Sequence, residues 1–197
     1  MTAAREIPIF PLSTVLFPGG LLPLRIFEQR YLEMTKVCIR DNTPFGVCLI
    51  REGQEVGAPA VPHTVGCTAR ILNWDMPHLG LFHLMTEGDS VFRVLEQWSN
   101  RTGLLYAQVE LDDPAPPLAL PDTYESLAQL LETIIAKVGA ERFPAPVRLD
   151  DAAWVAYRLA ESLPLEPAVR QQLLEARDPL AALREVRTFL RSKSVTV

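Results

Sequence analysis

Three cysteines, Cys38, Cys48 and Cys67, and three histidines, His63, His78 and His83, are the residues of this 197-residue chain that could supply a nucleophile, a general base or a soft metal ligand. Nucleophilic catalysis needs a thiol or hydroxyl beside a histidine that is itself oriented. No G-x-S-x-G elbow occurs. Cys48 and Cys67 lie inside apolar runs, where burial disfavours a thiolate, so packed core thiols are the expectation. His63 and Cys67 form one close pair that could face zinc, but structural zinc sites take two such pairs and there is no second. Pro77 excludes a regular helix that would bring His78 and His83 to one face. The paired acids Asp112-Asp113 and Asp150-Asp151 flank element ends, where turns and caps use such residues. The expectation is no catalytic residue, no metal and no cofactor.

Binding is the chemistry left to argue. Trp74 and Met76 stand in the stretch Asn73-Trp74-Asp75-Met76-Pro77-His78, read here as a loop, and an aromatic with a thioether could grip apolar side chains of a ligand. Core packing explains the same two residues. Arg25, Glu28 and Tyr31, with Arg30, could form a second binding patch or a buried ion pair tying a helix to a sheet. Arg184, Arg187 and Arg191 make a basic stripe near the chain's end; a solvated face suited to a helix C-terminus competes with a docking surface for an acidic partner.

The elements that must position these residues begin with Ile7 to Met34. Prolines at 8, 11, 18 and 23 fix φ and remove backbone donors, which suits edge strands and turns. Pro18-Gly19-Gly20 reverses the chain, Leu21 to Phe27 gives a second extended run, and Glu28 to Arg40 has helical spacing at Tyr31, Met34 or Thr35, and Cys38. Short strands follow at Phe45 to Ile50, His63 to Leu72, Leu81 to Thr86, Ser90 to Trp98 and Leu104 to Leu111, with Glu87-Gly88-Asp89 read as a turn. Past the prolines of Asp112 to Pro121 the periodicity changes from two to 3.6. Asp122 with Glu125 has capping-box spacing ahead of the stripe Tyr124, Leu127, Leu131, Ile134 and Val138. Asp150 or Asp151 can cap a helix carrying Val155 and Leu159. Glu166-Pro167 opens another, and Asp178-Pro179 a last one with Leu180, Leu183, Val186 or Arg187, and Leu190.

The fold class expected is α+β: an antiparallel β pseudo-barrel of about six strands with one helix in residues 1–115, then a bundle of about four helices in 121–197. At 48% hydrophobic and 22% charged the chain has the balance of a soluble globular protein. The uncharged run Ile7 to Leu24 is too broken by proline and glycine to span a membrane. A net charge of −5 disfavours non-specific nucleic-acid binding. An odd number of unpaired cysteines suits a reducing compartment, so the expected location is cytoplasmic.

Pro11-Leu12, Phe17-Pro18-Gly19 and Ile26-Phe27-Glu28-Gln29-Arg30-Tyr31, in this order and spacing, resemble the opening of the Lon protease amino-terminal domain. Val65-Gly66-Cys67-Thr68-Ala69-Arg70-Ile71 resembles a later strand of that family, with Cys67 where threonine is usual. Gly88, Phe92, Arg93 and Val94, then Tyr106 to Glu110, resemble the next two. Pro164-Leu165, Arg170 to Glu175 and Asp178 to Leu183 resemble its helical half. The resemblance implies a PUA-like barrel and a stand-alone, non-catalytic module that recognises exposed or unfolded polypeptide, or a protein partner, for a separate protease or chaperone. The family's ATPase and serine-lysine protease modules are expected to be absent, since there is no GxxxxGK[ST] and the lysines are Lys36, Lys137 and Lys193. Two further readings stay open: a small hydrolase built around Cys67 and His63, and a nucleic-acid-binding barrel, because the family's barrels resemble those of RNA-modification accessory domains.

Overall fold

Pro8 and Pro11 both lie inside β1 (Arg5–Leu12), where each faces only one neighbouring strand. The first half of β1, through Ile9, pairs antiparallel with β7 (Leu105–Leu111), and from Ile9 onward it pairs parallel with β3 (Phe45–Glu52). A missing N–H is tolerated because neither proline serves two ladders at once. The structure, a computed structural model, describes residues 4–58, 60–113 and 116–193. The chain falls into two units, Met1–Pro114 and Ala115–Val197.

The first unit is a seven-stranded, mainly antiparallel sheet in which β5 (Val65–His78) and β6 (Leu81–Ser99) are the longest strands; the order is β1-β7-β6-β5-β3-β4, closed on itself by the β1–β3 pair, with β2 (Leu21–Ile26) added against β6. β4 is the short segment Val61–Pro62. Its one α-helix, α1 (Gln29–Asp41), buries Tyr31, Met34, Thr35 and Cys38, in line with their spacing. Asn42 ends it in the left-handed conformation, with its N–H returned to the Cys38 carbonyl. Phe10, Ile26, Phe45, Phe82 and Leu84 share one apolar core with Tyr31, Met34 and Cys38 of this helix. Ile9, Cys48, Phe92 and Val109 form a second.

Two strand boundaries differ from the sequence expectation. The stretch Asn73–His78 is not a loop: β5 runs unbroken from Val65 to His78 and turns through Leu79 and Gly80 into β6 (Leu81–Ser99). Pairing with β6 overrides the weak strand preference of Asn73, Asp75 and Pro77. Glu87-Gly88-Asp89 is likewise no turn but the middle of β6. Gly88 is required there by close approach: its N–H donates to Gly20 O and its carbonyl accepts from Gly19 N–H. A Cβ at this position would lie 2.2 Å from the Phe17 carbonyl oxygen.

The second unit holds α2 (Glu125–Val138), α3 (Ala152–Ser162), α4 (Pro167–Ala176) and α5 (Pro179–Ser192). Asp151 caps α3 by accepting from Ala153 N–H and Trp154 N–H, and Asp178 caps α5 by accepting from Leu180 N–H. The Asp122–Glu125 capping box does not form. Asp122–Tyr124 is a 3-10 turn instead, and α2 starts after it with no side-chain cap. The α2 stripe is buried at Tyr124, Leu127 and Leu131 and emerges by Val138. On α5, Val186 is the buried residue and Arg187 stacks its guanidinium 4.6 Å from the Tyr124 ring centroid.

Candidate functional site

The first half of β6 lies between β2 and β5, and the register aligns residues in rows across these three strands. Arg25, His83 and Asp75 form one row; Pro23, Met85 and Asn73 form the next. Opposed residues of antiparallel strands share a face, so both rows look the same way. Arg70 and Glu87 adjoin them and close an ion pair at 2.8 Å. A groove of about 600 Å³ opens along these rows, bordered also by Trp74.

The hairpin that carries the groove exposes several large apolar side chains between its polar ones. Trp74 is 48% exposed, Met76 43% and the turn residue Leu79 96%, with Leu72 and Met85 also exposed. Trp74 is anchored nonetheless: it lies opposite Leu84, a core residue, and sets its ring edge-on against Phe82. One side of the indole is thus held by the core and the other is left to solvent. Phe27, also exposed, follows Ile26, which pairs with Phe82 near the hairpin's turn.

Trp74 and Arg25 therefore line one groove, with Met76 exposed two residues beyond Trp74 on β5, while Glu28 and Tyr31 belong to a different arrangement at the start of α1. There the Arg30 guanidinium makes a 3.0 Å ion pair with Glu28, donates to the Gly57 and Gly103 carbonyls, and lies 4.7 Å from the Tyr31 ring centroid. Tyr31 is buried against Phe10, and that burial raises its phenol above its ordinary pKa, partly offset by Arg30. The contribution of Leu72, Leu79 and Met85 to the hairpin surface was not anticipated. A turn glycine at Gly80, with φ of 83°, between two apolar runs was the available hairpin signal.

The thiols are placed for packing. Cys38, Cys48 and Cys67 are buried and form no disulfide with one another. Burial pushes the Cys48 thiol up to about 12. Among the described residues no three His, Cys, Asp or Glu side chains are grouped as metal ligands, and no helix is long and apolar enough to cross a membrane.

A barrel with one internal helix, followed by a helical unit, is the architecture of Lon amino-terminal domains. The family model for the ATP-dependent protease La (LON) substrate-binding domain matches residues 6–192, and the chain belongs to this family. A Lon N-terminal domain protein from Xanthomonas campestris superimposes with a TM-score of 0.78 at 35% identity, over 93% of this chain and 98% of that one. The N-terminal domain of the Mycobacterium avium complex Lon protease has the same fold, with a TM-score of 0.66 at 18% identity, over 92% of this chain and 96% of that one. The Lon protease of Anaeromyxobacter dehalogenans (strain 2CP-C) is 26% identical over 195 residues, which are 95% of this chain and 23% of that protein. Lon protease 2 of Myxococcus xanthus is 35% identical over 94 residues, 47% of this chain and 11% of that protein. The chain spans about a quarter or less of the length of these two relatives, and the match is to the substrate-binding domain rather than to the ATPase or protease modules.

Proposed function

We propose that this chain is a non-catalytic polypeptide-recognition module that holds exposed apolar segments of unfolded protein on the β5–β6 hairpin, for hand-over to a protease or chaperone. The observation that carries the reading is the run Leu72, Trp74, Met76 and Leu79, large apolar side chains left in water along the end of β5 and its turn. Such a patch marks an interaction surface, and an anchored aromatic at its centre is the usual source of binding energy. Arg25 and His83 supply a polar rim to the groove, which favours orientation over affinity. Family membership supports the same reading, since the matching model describes a substrate-binding domain. Three buried cysteines outside any disulfide support a reducing, cytoplasmic setting.

The test is fluorescence anisotropy against a labelled, permanently unfolded polypeptide, titrated with and without salt and followed for cleavage. Saturable binding that persists at high salt, with the label intact, is the expected result, because apolar contacts survive screening that weakens surface charge pairs. No binding to varied unfolded chains, or turnover of the label, overturns the reading.

A further inference from the structure

Beyond Ala69 one flank of β5 lacks a partner strand among the described residues: β3 pairs only with Cys67–Ala69, and from Arg70 to His78 the paired neighbour is β6. An open edge of this kind offers a row of N–H and C=O groups to any extended chain. The N–H groups of residues two apart point to the same side of a strand, which puts those of Trp74 and Met76 together. Gly88 turns its N–H and carbonyl to the β2 side, and so does Leu84 four residues before it, so Trp74 opposite Leu84 turns its N–H away from β6. Trp74 N–H donates to Asn73 Oδ1 at 2.8 Å, and Met76 N–H donates to Asp75 Oδ1 at 2.8 Å. Pro77 comes next and has no N–H to offer. Short amide and carboxylate side chains are the ones able to compete for a strand's backbone donors in this way.

An apolar hairpin is also where an open edge is most hazardous. A two-fold antiparallel pairing centred on Trp74 would set Leu72 of each chain opposite Met76 of the other, giving a symmetric, apolar, self-complementary ribbon. We propose that Asn73 and Asp75 guard the β5 edge: by occupying the outward N–H groups of Trp74 and Met76 they close the backbone to strand addition by a second copy of this chain. The side chains of the hairpin stay open to solvent. The assignment stands on the hydrogen bonds and the register and does not need the hairpin to bind polypeptide.

The experiment is light scattering across a concentration series on the full chain, with amide hydrogen exchange at Trp74 and Met76. The N73A/D75A variant is expected to self-associate at least tenfold more tightly than the parent. In dilute, monomeric samples its Trp74 and Met76 amides are expected to exchange at least tenfold faster. The N73Q/D75E variant keeps the polarity and charge but moves each acceptor away from the following N–H, and is expected to associate likewise; it also serves if the alanine variant fails to fold. Adding Met76→Pro, which deletes an edge donor, is expected to return the associating variant to monomer. Association no stronger than the parent's in a folded variant overturns the proposal, as does association that Met76→Pro leaves unchanged. Neither measurement uses a polypeptide ligand, so failure here is distinct from failure of the recognition reading.

Discussion

Trp74 and Phe82 meet edge to face across β5 and β6, with ring centroids 5.8 Å apart and planes at 63°. Phe82 is a core residue and Trp74 is half-exposed, so the contact fixes an aromatic at the surface without burying it. A ligand then meets a side chain whose rotamer entropy has already been spent on folding. Trp74→Ala is expected to weaken binding of an unfolded polypeptide about tenfold, or about 1.4 kcal/mol. The same change should also lower folding stability, by about 0.5–1.5 kcal/mol for the aromatic pair and by a further share for the buried half of the ring. Anisotropy and urea denaturation on one sample separate the two; unchanged affinity would remove Trp74 from the site.

Arg30 links three parts of the first unit: Glu28 before α1, the Gly57 carbonyl and the Gly103 carbonyl. Its side chain is 9% exposed and that of Glu28 20%. Truncating one member of a buried pair leaves an uncompensated charge. Arg30→Ala should therefore cost about 3 kcal/mol, at the low end for buried pairs because Glu28 remains partly wet. The E28Q/R30M variant should recover part of that loss in urea melts, since it removes both charges and keeps apolar bulk over Tyr31. Equal losses in the two variants would count against the ion pair as the cause.

Gly88→Ala tests why a glycine stands in the middle of β6. The added methyl would meet the Phe17 carbonyl group, which is backbone and cannot rotate away. Overpacking of this kind costs about 1–3 kcal/mol. Alanine at Gly80, whose Cβ would have open space around it, carries only the strain of its positive φ and should cost less. Thermal melts of the two variants decide it: a Gly88 variant no less stable than the Gly80 one defeats the close-approach account.

Much of this was legible in the residues, and what was not has physical causes. Tyr31, Met34 and Cys38 announced the buried face of α1 because apolar periodicity survives tertiary context. Asp151 and Asp178 announced helix starts because a cap depends only on the next few residues. Asn73, Asp75 and Pro77 misled because the same composition serves loops and guarded edge strands; only the partner strand distinguishes them. Gly88 misled for a related reason: a glycine kept for a close approach across the sheet looks locally like one kept for a turn. The exposed surface of Leu72 and Met85 could not be read, since an apolar residue in a strand is by default assigned to the core, whereas Trp74 and Met76 stood out only because their stretch reads as a loop.

Cys48 gives a prediction in which the sign can be worked out. Burial alone lifts its thiol from an ordinary 9.0 to about 12, and burial also raises Cys38 and Tyr31. A raised acid keeps its proton in the folded chain after the unfolded chain has lost it. Between about pH 9 and 12 the unfolded state therefore binds fewer protons, and stability falls as pH rises. Below about pH 9 the contribution is whole; above it each such group removes up to about 1.4 kcal/mol per pH unit until its folded pKa is reached. Urea midpoints measured from pH 8 to 10.5 should stay level and then decline. Cys48→Ala should make the decline shallower by one group's share, whatever it does to stability at pH 8. A slope that the substitution leaves unchanged would show that Cys48 ionises as readily in the folded chain as in the unfolded one, contrary to its burial on β3 within the Phe92 cluster.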